Sequence, residues 1–155
     1  MSCDIAAAAL YLAFAPASMD AASLRQPKTL IAAISGTVGL ASEPLYAEIV
    51  RKASGLRRSV DLLSRTENVA PAAILKPGVE QLSALDMKAH LDLAARGMDG
   101  DLKCILKGIS QDLTAKLAAL SAAQEQTQRH AALTEMDYLL RDNVEVITAP
   151  PKPPV

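Results

Sequence analysis

From Ile109 to Ala149 the chain contains neither glycine nor proline. In a helix interior glycine costs about 1 kcal/mol relative to alanine and proline about 3 kcal/mol. A stretch that long without either predicts one continuous helix, running from about Asp101 to Arg141. At about 1.5 Å of rise per residue it would extend on the order of 60 Å. Leu102, Leu106, Ile109, Leu113, Leu117 and Leu120 form its apolar seam, with 4-3-4-4-3 spacing. The seam fades through the polar run 121–130 (SAAQEQTQRH) and returns at Leu133, Met136, Leu139 and Leu140. Such a helix presents more apolar stripe than shorter companions can cover, so its far end is expected to pack on another molecule.

The rest of the chain is equally helix-prone. It holds 29 alanines and 22 leucines, about a third of its 155 residues, and four aromatics: Tyr11, Phe14, Tyr46 and Tyr138. Alanine loses no rotamer entropy in a helix and leucine loses little. The pattern predicts helices over Asp4–Phe14 (capped by Ser2), over Thr29–Ala41 after Pro27, and from Ser42 to Arg65, with Pro44 in the first turn of the last. Small residues repeat four apart at Ala32/Gly36 and Ser35/Gly39, a spacing that favours close helix packing. Pro71, Pro77 and Gly78 mark 66–78 as a connection, after which a helix is expected over Val79–Arg96, using Leu82, Leu85, Ala89 and Leu93. The sequence thus predicts an all-α helical bundle. Its parts are a helical segment 1–65, the connection 66–78, a helical hairpin 79–141 with a long C-terminal helix, and an extended tail 142–155. That tail holds β-favouring Val144, Val146 and Ile147, then Pro150, Pro151, Pro153 and Pro154, a composition that favours extended backbone.

Charge and motifs exclude several function classes. The net charge is −1, too small for whole-molecule steering towards nucleic acid or anionic lipid. Arg51, Lys52, Arg57, Arg58 and Arg65 face only Asp61 over 51–65, a local +4. This cluster suits an acidic partner or a solvated face better than nucleic acid, because no aromatics interleave it. The apolar run from Ile5 to Phe14 is about half the length needed to span a bilayer. No Lys or Arg precedes it, so it lacks the basic start of a signal peptide.

Cys3 and Cys104 match no zinc spacing, and are expected as reduced thiols in an intracellular, cytoplasmic setting. His90 and His130 stand alone, so no metal site is expected. Phosphate loops, dinucleotide fingerprints and nucleophile elbows are missing from the sequence. The expectation is a non-enzyme without cofactors.

Cys104-Ile105-Leu106-Lys107-Gly108, followed by Ser110 and Leu113, resembles the His-x-Leu-Lys-Gly box of histidine-phosphotransfer domains. That family consists of helical bundles in which an exposed histidine accepts a phosphoryl group beside a small glycine. Here Cys104 stands where the histidine belongs, so the resemblance implies a non-phosphorylatable docking module.

The leading expectation is a helical interaction protein, a subunit or adaptor that meets another protein chain through helix–helix contacts. Its candidate contact residues are Leu133, Met136, Leu139, Leu140, Pro150, Pro151, Pro153 and Pro154, with Arg51, Lys52, Arg57 and Arg58 for an acidic partner.

Overall fold

A computed structural model describes residues 39–66, 70–98 and 101–149. The predicted helices before residue 39, with their small-residue pairs, and the prolines from Pro150 onward lie outside the described residues. Among the described residues the fold has four helices: α1 (Pro44–Ser64), α2 (Pro71–Ala95), α3 (Leu102–Ala122) and α4 (Gln126–Thr148). They form a ring in which α1 packs on α2 and α4, and α3 packs on α2 and α4. Short connections make each neighbour antiparallel to the last, the up-and-down arrangement of a four-helix bundle. Paired residues along the helices agree: Tyr46 meets Asp92, Ser83 meets Ser110, Lys116 meets Glu135 and Arg57 meets Asp137. Among the described residues no helix is long and apolar enough to cross a membrane.

The seam of α3 is internal as its spacing predicts, with Leu106, Ile109, Leu113, Leu117 and Leu120 buried and Leu102 packed at the edge. The single long helix is not formed. The chain leaves α3 at Ala122, passes extended backbone at Ala123 and restarts at Gln126. Glu125 is the N-cap of a capping box in which its side chain and that of Gln128 bond each other's backbone amides. Gln128 also accepts from the Gln124 amide at 3.1 Å. Two side chains therefore satisfy the orphan donors that a new helix start exposes, and the helix is broken without glycine or proline. The polar run 121–130 is the corner of a hairpin, and folding back lets α4 cover the stripe of α3.

Two further boundaries differ from expectation. Helix α2 begins at Pro71, its first residue, and runs through Pro77 and Gly78. Proline at a helix start loses nothing, whereas Pro77 forgoes one backbone bond. Leu75 and Val79 are each 1% exposed, and their burial outweighs that local cost. Gly78 has a packing reason: a Cβ there would lie 2.6 Å from Leu56 Cδ2 of α1. At the other end α4 continues to Thr148, so 142–148 is helical rather than extended. Buried Asn143 and Ile147 carry the inward stripe one more turn.

Helix α2 stops in a Schellman turn. The Met98 amide donates to Leu93 O and the Gly97 amide to Ala94 O, both at 3.1 Å. Gly97 has φ +66°, a conformation that costs a residue with a Cβ about 1–2 kcal/mol. Gly97→Ala is therefore expected to lower stability by about that amount, measured as a lower urea midpoint at unchanged m-value. An unaltered midpoint would show that the turn tolerates a side chain.

Ion pairs join the start of α1 to the end of α2. Arg96 donates to both carboxylate oxygens of Glu43, at 2.9 and 2.6 Å, and pairs with Asp92 at 2.9 Å. The Arg96 bond holds the Glu43 carboxyl below its ordinary range. Asp92 also accepts from the Tyr46 hydroxyl at 2.8 Å. Burial, then this bond, pushes the Tyr46 phenol well above its usual value.

Candidate functional site

Each expected contact residue has a definite place. Leu133, Met136 and Leu140 are 4%, 0% and 0% exposed. They point into the bundle, and Leu139 packs against its edge. Their apolar surface is largely taken up within the bundle, and an edge of Leu133 lines the trough described below. The reason is the corner at Glu125: a folded-back helix needs these residues for its own ring.

The basic cluster is divided. Arg51 pairs loosely with Glu48 on its own helix, and Lys52 reaches across α1/α2 to Gln81. Arg57 and Arg58 face the other way, into a trough between α1 and α4. The trough has a volume of about 930 Å³, and a smaller space of about 500 Å³ continues it at the Gln126 end. Both are lined by Arg65, His130 and Leu133.

The trough combines charge with exposed carbon. Arg57 pairs with Asp137 at 2.9 Å, bridging the two helices, and Arg65 pairs with Asp61 at 2.7 Å. Arg141 lies 4.8 Å from the centre of the Tyr138 ring and within 3.7 Å of Glu145. Leu62, which lines the trough, is 67% exposed, and Tyr138, against Arg141, is 54% exposed. Sequence reasoning missed both, although Leu62 next to Leu63 on an otherwise amphipathic helix was a readable sign.

The core holds a second unusual arrangement. Asp86 of α2 and Asn143 of α4 are both fully buried, at 0% exposure, on diagonally opposite helices. Asn143 Nδ2 donates to Asp86 Oδ2 at 2.7 Å. Asp86 Oδ1 and Asn143 Oδ1 have no hydrogen-bond partner. Burial raises the Asp86 carboxyl from its ordinary 3.8 to about 7, against a smaller opposing effect of the Asn143 bond. A proton on Asp86 gives the pair a second donor for its unmatched oxygens. Nearby, Ser110 Oγ donates to Ser83 O at 2.9 Å, a satisfied link between α2 and α3. This buried region is sealed from solvent and opens onto neither trough.

The histidines do different work. His90 Nδ1 lies 2.7 Å from Lys103 O and ties α2 to α3, while His130 is exposed at the trough. Among the described residues no cluster of three or more His, Cys, Asp or Glu could hold a metal ion.

Cys104, half-buried at the start of α3, is disulfide-bonded. The expectation of reduced thiols is not met at Cys104. The disulfide also bears on the Leu106-Lys107-Gly108 box. Leu106 is a core residue, and the position of the family's phosphoryl acceptor is occupied by a sulfur already engaged.

Comparison with protein-family models, with curated proteins and with solved structures finds no match to this chain.

Proposed function

We propose that this chain is a non-catalytic helical interaction protein, a subunit or adaptor of a larger protein assembly. It acts through helix–helix contacts made on the α1/α4 face. The observation behind this reading is Leu62, 67% exposed in the trough between two adjacent helices, together with Tyr138, 54% exposed and stacked on Arg141 of the same trough. Exposed large side chains cost hydration free energy, and tyrosine and arginine are enriched in binding patches. Of the interior stripe of α4, Leu133 reaches the floor of this trough.

The test is reciprocal capture from the native source with the intact chain and with Leu62→Asp, which adds a charge at an exposed site and spares the core. A partner of fixed stoichiometry that is lost with Leu62→Asp is the expected result. A chain that remains monomeric and retains no protein in either direction overturns the proposal. So does a partner held equally well by the variant.

A further inference from the structure

The α1/α4 trough has a chemical bias that narrows the kind of partner it fits. Its cations are Arg57, Arg58, Arg65, Arg129 and Arg141, and its anions are Asp61, Asp137 and Glu145, so it carries +2 with His130 neutral. Three of the arginines already have carboxylates: Arg57, Arg65 and Arg141. Arg58 and Arg129 have no ion-pair partner among the described residues. Arg58 is exposed and Arg129 half-buried. The excess charge is therefore concentrated on two guanidiniums, one from each wall. Exposed Leu62 lines the same trough as Arg58, with Val60, Leu133 and Val144 as its apolar floor.

The trough follows α1 from Ser54 to Arg65, about 16 Å at 1.5 Å per residue, or three turns of a docked helix. Neither end of the chain itself matches it in charge. Residues 1–38 hold two acids (Asp4, Asp20) and two bases (Arg25, Lys28), and 150–155 hold one lysine.

We propose that this trough binds an acidic amphipathic helix of a partner protein. Arg58 and Arg129 pair with its carboxylates, and Leu62 packs against its apolar face. Arginine suits this role because its planar fork binds a carboxylate through two parallel bonds. The proposal rests on the interaction-protein reading above, and adds the partner's chemistry.

The experiment uses the full chain and a labelled helical peptide of three to four turns, with glutamates on one face and leucines on the other. A lysine-for-glutamate version serves as control. Fluorescence anisotropy should show binding of the acidic peptide only, weakened about tenfold when salt rises from low to several hundred millimolar. Arg58→Glu/Arg129→Glu should abolish it while leaving the thermal melt unchanged, since neither residue has an ion pair to lose. Methyl NMR shifts should centre on Leu62, Val60 and Val144.

Equal binding of the lysine peptide, no binding, or binding that survives the double variant overturns the proposal. The same holds if a short single-stranded DNA or anionic vesicles bind as well as the acidic peptide, or if the chain self-associates through this face. Should capture yield a partner that depends on Leu62 but not on Arg58 and Arg129, the interaction reading stands and the acidic helix does not.

Discussion

Replacing Asp86 with asparagine is expected to stabilise the protein at pH 8 and to leave it nearly unchanged at pH 4. Asp86 is fully buried, and burial raises its carboxyl from 3.8 to about 7. Between those values the folded state holds a proton that the unfolded state has released. Unfolding free energy therefore falls as pH rises through this window, and levels off above about pH 7. At about 1.4 kcal/mol per pH unit, the whole fall is about 4 kcal/mol in order of magnitude. The contribution is fully present below the unfolded value and is lost once Asp86 ionises within the core. Asparagine has no proton to lose. Its amide also offers Asn143 Oδ1 the donor that ionised aspartate lacks. Urea midpoints of both proteins, measured from pH 4 to 8, test this by their difference, which cancels the opposite pH trend of carboxylates such as Glu43. Parallel profiles would show that Asp86 ionises as readily in the folded as in the unfolded chain.

Leu140→Ala is expected to cost about 2–5 kcal/mol, the usual range for emptying a fully buried leucine site. Leu140 is 0% exposed beside Met136, also 0%, and every neighbour is already committed to the ring. The same substitution separates two pictures of α4. If Leu140 served a partner, alanine would leave the isolated chain as stable as before and weaken only a complex. In the closed bundle it lowers the urea midpoint of the isolated chain. A change under about 0.5 kcal/mol, typical of surface positions, would contradict the packing described above.

The sequence made the helices legible and misled on how they are divided. The 4-3-4-4-3 seam of α3 is buried as its periodicity implied. Proline and glycine, the strongest local punctuation, pointed the wrong way twice. Pro77 and Gly78 lie inside α2, because Leu75 and Val79 extend its buried stripe and Gly78 meets Leu56. The turn at Ala123–Glu125 has neither residue, because a capping box of Glu125 and Gln128 supplies the stop. That Glu-x-x-Gln was visible, at the point where the seam gave out.

The buried pair was also readable in outline. Asp86 interrupts the run Leu75, Val79, Leu82, Ala89, Leu93, and Asn143 interrupts Leu133, Met136, Leu140, Ile147, each at an inward position. Their meeting across the diagonal was not legible, since spacing within a helix does not tell which helices face each other. The trough was out of reach for the same reason. Arg58 and Arg129 are 71 positions apart, and only the α1/α4 pairing places them along one trough, in its two successive spaces.

The four described helices close their ring with no inward stripe left vacant. Under the interaction reading proposed above, a ring that completes its own interior needs no companion to fill it. Any companion then meets a finished surface, and its arrival and departure are read as occupancy rather than as folding and collapse.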